Sequence, residues 1–452
     1  TCAVRPIITY GAMVWGHVAS NAGISEKLRS LQRFALMQYG QLRKNTPKRA
    51  LEVVTGTMPL HLKIEECRIL STIRNLQVIE RGCVSGKTLI SDLRRYGLPT
   101  KSKHYDRLPS KVLKDTPYQV VIGNGQPMLG EDGTLICYTD GSGIDDKYGA
   151  ACLLMDELGG ITSDKMRLSD HATVFQSEIK AITMACDLFM MKERDETKMV
   201  IHVDSQAALK ALVANKTRSA MVWEAISKLR QIAKDRDVEL RWVRAHVGHH
   251  LNEEVDELAK EATLGEITTT GLPMATAKKA LRDKLIEQWQ RDWTNVSEHR
   301  QSRALWPTIN LAKSKALTQV PKSSYSQILR WLTGFTGLKH MNFRFGLEND
   351  NVCRLCELEN EDSLHVLLRC PTLAFLRWHS LGTYIVDESD DLLGNWPAHG
   401  LIKFRKNKTV RALKISDDMG LISYKGFDEI QELYDLIQLD DNEENDEGDD
   451  VI

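Results

Sequence analysis

Two short apolar runs, residues 135–139 (LICYT) and 199–203 (MVIHV), each lead straight into an aspartate, Asp140 and Asp204. Runs this short, rich in β-branched and aromatic residues, predict buried strands. Open α/β sheets carry their sites at the carboxyl edge of such strands, which is where both aspartates are expected as strand ends. Between them Phe175, Ile179, Ile182 and Phe189 recur at helical spacing, so residues 172–191 are predicted to form an amphipathic helix. Glu178 lies beside that stripe, one turn from Phe175 and Ile182, and can project over the sheet edge. Further on, Asn252 is expected to cap a helix with Asp256 near its start, where the helix dipole favours an anion. Residues 131–265 are therefore expected to be an α/β domain with four carboxylates at one edge.

A carboxylate cluster at a sheet edge repels itself, and either raises a pKa or recruits a cation. Hard divalent ions prefer such oxygen ligands. The blocks TDGS (139–142), VFQSEIKAI (174–182), VDS (203–205) and AHVGH (245–249) with NEEVDELA (252–259) occur in that order. Together they resemble type 1 ribonuclease H, the variety carried by retroelements, over residues 131–265. The resemblance implies a mixed five-stranded sheet with flanking helices and hydrolysis of the RNA strand of RNA–DNA hybrids, leaving 5′-phosphates. It implies two Mg²⁺ ions, with Mn²⁺ an alternative. Asp140 is then the bridging ligand, Glu178 and Asp204 hold one ion, and Asp256 holds the other. It also gives His246 a part in proton transfer and product release, chemistry open to imidazole near neutral pH. Ser142, Gln176 and Asn252 are candidates for hydrogen bonds to sugar or phosphate, the ribose 2′-OH being the mark of RNA.

The formal net charge of −1 averages unlike segments. Residues 1–115 carry 20 Lys/Arg against 8 Asp/Glu, while residues 131–265 carry 17 against 24. Beyond Lys425 there are 12 acidic residues and no basic ones. The region with the carboxylates is thus a poor polyanion binder by itself, and grip on nucleic acid is expected from the flanks, chiefly the first. Its densest basic cluster is Arg43, Lys44, Lys48 and Arg49.

Residues 1–115 read as helical, with apolar stripes in 24–42 and 64–81. The phrases PIITYGAMVWG, LRSLQRFAL, RKNTPKRALEVVTG and MPLHLKIEECRI resemble the region just after the polymerase core of non-LTR retrotransposon reverse transcriptases. That resemblance implies that the upstream polymerase of the same polyprotein is a partner and that this chain is the downstream piece of something longer. No aromatic-x-Asp-Asp motif occurs; the pairs Asp145–Asp146, Asp390–Asp391 and Asp417–Asp418 are read as lying outside any hairpin context, so polymerisation is not expected.

Residues 116–130, with prolines and glycines and no charge before Glu131, are expected to be a linker, as is the threonine-rich stretch 268–273. Residues 275–385 form a further region, which begins with a helical stretch rich in Lys, Arg and Trp (278–293). It contains Cys353-x2-Cys356-x8-His365-x4-Cys370, four soft ligands suited to one tetrahedral, structural Zn²⁺. This spacing resembles the Cys–Cys–His–Cys module that follows the nuclease in non-LTR retrotransposon polyproteins. The other cysteines lie scattered on apolar segments and read as reduced core residues. The acidic tail, 428–452, is expected to be disordered. No run of 18 apolar residues occurs, and no membrane association is expected. The leading expectation is a hybrid-specific nuclease in a retroelement polyprotein. The alternative, a non-catalytic nucleic-acid-binding remnant, fits less well with all four carboxylates in place.

Overall fold

The computed structural model describes residues 4–42, 46–82, 87–113, 115–123, 125–127, 132–191, 195–245, 249–297, 300–384, 401, 403, 404 and 410. Arg43, Lys44, His246, the Asp390–Asp391 and Asp417–Asp418 pairs and the acidic tail lie outside them. The chain divides into two compact units, one formed by residues 72–281 and the other by residues 1–71 with 282–452.

In the first unit the strands are β1 (Lys111–Val112), β2 (Gln119–Val121), β3 (Thr134–Ile144), β4 (Lys147–Met155), β5 (Ile161–Leu168), β6 (Lys198–Val203), β7 (Lys216–Thr217), β8 (Asp237–Trp242) and β9 (Ile267–Thr268). β3, β4 and β5 form an antiparallel meander, and β6 and β8 continue the sheet in parallel, as expected of the five-stranded core. The full sheet has seven strands, in the order β2-β8-β6-β3-β4-β5-β9, which corrects the expected five. The two additions are short edge strands, one inside the expected linker 116–130 and one at the start of the expected linker 268–273: β2 pairs with β8, and β9 with β5. Each uses backbone groups that an exposed sheet edge leaves unpaired.

Side chains alternate between the two faces of β3. Leu135 and Cys137 enter a core with the helices Val174–Met190 and Ala220–Ile232. Ile136 and Tyr138 enter the core on the other face, with Val255 and Ala259 of the helix His250–Ala262. Two glycines let the helices that carry Glu178 and Asp256 come close. A Cβ on Gly141 would lie 2.4 Å from the backbone nitrogen of Glu178, and one on Gly149 2.1 Å from the carbonyl oxygen of Ala259.

Three local expectations are corrected. β3 does not end at Asp140; its pairing with β6 stops at Thr139–Val203, but its hairpin with β4 runs on to Ile144. Asp145 and Asp146, read as outside any hairpin, are the turn of that hairpin, both with positive φ (49° and 57°). Such φ values suit a two-residue hairpin turn, and Asp tolerates them better than most residues. Asn252 is not the N-cap. The helix starts at His250, with the carbonyl of His249 accepting from the amides of Asn252 and Glu253.

The segment upstream of the sheet is fastened to it by Asp106. Its carboxylate accepts from Ser219 Oγ at 2.8 Å, from the Met221 amide at 3.0 Å and from Gln176 Nε2 at 3.3 Å. Together with Ser219 it caps the helix Ala220–Ile232 from a position 113 residues away. Asp106→Ala should therefore lower stability by about 1–2 kcal/mol. Urea denaturation of the two proteins checks this, and equal midpoints would contradict it.

In the second unit the N-terminal helices pack with residues from after position 282. Arg29 and Glu52 form a buried ion pair, Gln32 Nε2 donates to the Met58 carbonyl at 3.0 Å, and Arg330 Nη2 donates to the Gln41 carbonyl at 2.8 Å. Tyr39 and Tyr325 meet edge to face at 5.7 Å, and Trp289 and Trp293 are buried. The basic segment is thus split: residues 1–71 belong here, while 72–115 belong with the sheet. Lys48, from the expected phosphate-binding cluster, is ion-paired with Glu26 and bonds Ser30 Oγ at 3.2 Å. No helix among the described residues is long and apolar enough to cross a membrane.

Candidate functional site

Asp140 sits on β3 just past its last pair with β6, and Asp204 follows the last residue of β6, so the two flank each other at the carboxyl edge. Thr173 caps the Glu178 helix, its hydroxyl accepting from the Gln176 amide, and this fixes the first turn, just before Glu178. Carboxylate oxygens of Asp140, Glu178 and Asp204 all lie within 4.8 Å of one another. Asp256 stands outside this set but near enough for its charge to act on Asp140.

The electrostatics are those of crowded, buried acids. Burial, then Asp204 and Asp140, push Glu178 up to about 10. Burial, then Asp204 and Asp256, push Asp140 up to about 7. Oε2 of Glu178 is buried with no hydrogen-bond partner among the described residues. An unsatisfied buried carboxylate oxygen beside two more carboxylates is a donor set that fits a hard divalent cation.

Of the other expected site residues, Ser142 is half-buried on β3, opposite Gly149. Gln176 is buried, with Oε1 unpartnered among the described residues. It is 1% exposed, and its amide nitrogen donates to the Gly271 carbonyl at 3.0 Å and to Asp106. Asn252 is also buried, with an unpartnered Oδ1 among the described residues. Two residues at the site escaped the sequence reading. Lys260 Nζ donates to Asp256 at 2.8 Å, a contact that the i,i+4 spacing could have suggested. Trp242 Nε1 donates to the Asp204 carbonyl at 3.0 Å, fixing the backbone where β6 ends. Nothing in the local sequence signals that contact.

A second cluster lies in the other unit. Cys353, Cys356, His365 and Cys370 place one ligand atom each within 4.8 Å of the others, and all but Cys356 are buried. His365 Nε2 is 3.2 Å from Cys356 Sγ. Burial raises the Cys353 thiol, and burial with the neighbouring Cys353 and Cys356 pushes Cys370 up to about 12. At Cys356 burial is outweighed, chiefly by the Leu358 amide and then by Cys353, and its pKa falls. Burial also lowers His365, which favours the neutral, ligating imidazole. Three sulfurs and one nitrogen in so small a space fit a closed tetrahedral zinc site.

Residues 132–263 match the RNase H family model, so this segment is an RNase H domain. Among solved structures, the crystal structure of RNase H1 from the halophilic archaeon Halobacterium salinarum NRC-1 is similar, with 22% identity over 28% of this chain and 96% of that one, at a TM-score of 0.24. No protein of curated function matches the chain.

Proposed function

We propose that the chain is a metal-dependent ribonuclease H that cleaves the RNA strand of RNA–DNA hybrids, in the setting of a non-LTR retrotransposon polyprotein. The observation that carries the catalytic part is the convergence of Asp140, Glu178 and Asp204 within 4.8 Å, inside a domain of the RNase H family. The retroelement setting rests on the N-terminal phrases and the Cys–Cys–His–Cys spacing.

Two Mg²⁺ ions would supply charge neutralisation and Lewis acidity at the scissile phosphodiester. Asp140 would serve both, Glu178 and Asp204 would hold one side, and Asp256, with Lys260 as its counter-charge in their absence, the other. Trp242 keeps Asp204 in register with Asp140. Ser142 is the described candidate for contact with the substrate sugar or phosphate, and His246 is the candidate for moving a proton near the leaving oxygen. Cys353, Cys356, His365 and Cys370 would hold one structural Zn²⁺.

Incubation with an end-labelled hybrid, with and without Mg²⁺, tests the activity. RNA fragments with 5′-phosphate and 3′-hydroxyl ends are expected only when Mg²⁺ is present, with the DNA strand intact. Cleavage in EDTA at the same rate would exclude the metal-dependent reading.

Grip on the hybrid should come from outside the acidic nuclease region. Affinity of the whole chain should fall more steeply with salt than that of residues 72–281, because each phosphate contact made by the basic residues of 1–71 releases counterions. Equal slopes in a salt titration would mean that those residues serve packing, as Lys48 does with Glu26.

A further inference from the structure

Glu359 touches three of the four residues of the sulfur–nitrogen cluster, its backbone amide hydrogen-bonding Cys356. Its backbone carbonyl accepts from the Cys353 amide at 2.8 Å. Its carboxylate oxygen Oε2 lies 3.3 Å from His365 Nδ1, the ring nitrogen that faces away from the thiols. Arg369 Nε donates to that same oxygen at 3.1 Å, so the carboxylate is held from the far side. His365 itself is fully buried, and its Nε2 lies 3.2 Å from Cys356 Sγ. Its ring therefore has one nitrogen committed to the cluster and the other to Glu359.

We infer that Glu359 is the positioning residue of this metal centre, orienting His365 and fixing its tautomer, with Arg369 as the brace. The inference rests on the zinc reading given above. A carboxylate accepting from Nδ1–H leaves Nε2 as the lone-pair nitrogen and makes it a stronger donor, and such partners of metal-bound histidines tune affinity. The charges also fit. Three thiolates and a neutral imidazole around Zn²⁺ leave one excess negative charge, and a further bare carboxylate nearby would be unfavourable. Arg369, ion-paired with Glu359 at 3.1 Å, offsets that charge beside the cluster. The neighbouring pair Arg354–Glu361 does a different job, since Glu361 accepts from the Lys339 and Arg354 amides and contacts no cluster residue by its side chain.

The test uses the full chain, with zinc affinity measured by competition with a chromophoric chelator. Glu359→Gln and Glu359→Ala should both bind Zn²⁺ about 10–100-fold more weakly than the wild type. Arg369→Gln should show a smaller loss in the same direction. In the Co²⁺-loaded protein, Glu359→Gln should shift the ligand-field bands while leaving the thiolate-to-cobalt charge-transfer intensity unchanged, which marks the imidazole alone. A purely structural residue would lower thermal stability without moving those bands. Lys339→Gln, which removes the ion pair with Asp350, serves as that control and should leave zinc affinity within about twofold of the wild type. Glu359→Gln with wild-type zinc affinity and an unshifted cobalt spectrum would overturn the assignment while leaving the zinc site standing. A wild-type chain that binds no zinc at all would overturn both.

Discussion

Asp140→Asn should lower the rate of hybrid cleavage by about 10³-fold or more, and at the same time make the metal-free protein more stable above neutral pH. The first effect follows from the proposed role of Asp140 as the carboxylate that would serve both sides of the site. The second follows from the sign of the charge coupling. Asp140 is raised from 3.8 to about 7, and Glu178 from 4.5 to about 10. Each carboxyl thus binds its proton more tightly in the folded chain than in the unfolded one. Stability from these groups is fully present below their ordinary values near 4. It is lost as pH rises, up to about 7 for Asp140 and about 10 for Glu178. The asparagine stays neutral throughout, removes one source of repulsion on Glu178, and should flatten the decline between pH 4 and 7. Thermal melts of both proteins in EDTA from pH 5 to 9 measure this, with a gain of several degrees expected for the variant at pH 8. Mg²⁺ should raise the melting temperature of the wild type more at pH 8 than at pH 6, because it binds the ionised acids. A metal-free wild type that is more stable at pH 8 than at pH 5, with Asp140→Asn following the same curve, would show that the cluster is not strained.

Cys356→Ser should abolish stoichiometric zinc and unfold the surrounding module. Zinc in small finger-like modules contributes about 10–16 kcal/mol of apparent binding energy, which under the proposed zinc reading would here be coupled to folding. Around the cluster Cys353, Cys370 and His365 are fully buried, and the turn His365–Arg369 closes back through the Cys370 amide onto the His365 carbonyl at 2.7 Å. Without the metal the three thiols and the imidazole would keep only hydrogen bonds to one another, to nearby amides and to Glu359, a weak substitute for coordination. Metal analysis should find about one zinc per wild-type chain and none in the variant, and limited proteolysis should cut the variant first between residues 339 and 381. A variant that keeps its zinc and its protease resistance would remove Cys356 from the ligand set. The thermal transition of residues 72–281 should be unaffected, since they form a separate unit.

What could be read from the sequence was whatever local periodicity and motif chemistry encode. The runs before Asp140 and Asp204, the stripe around Glu178, and the helix with Asp256 each declare their element over about twenty residues or fewer, because strand and helix periods act at short range. The four soft ligands at 353–370 were legible for the same reason: chelation constrains spacing within one short segment. Tertiary structure decided the rest. Strands of two or three residues such as β2 and β9 have too few side chains to show a pattern, and exist because a sheet edge offers unpaired backbone groups. Asp106 caps a helix 113 residues away, so no window of sequence contains both partners. Gln176 has the chemistry of a substrate contact, and only the fold shows that it is buried with its amide nitrogen on the Gly271 carbonyl. Residues 1–115 were read by their charge as a nucleic-acid flank. Burial of Arg29 against Glu52, and the packing of Tyr39 on Tyr325, assign part of that segment to a core whose other half lies beyond residue 282. Charge and period are properties of a stretch of chain. Which stretch meets which is set by the apolar area that can be buried together, and that exists only once the chain has folded.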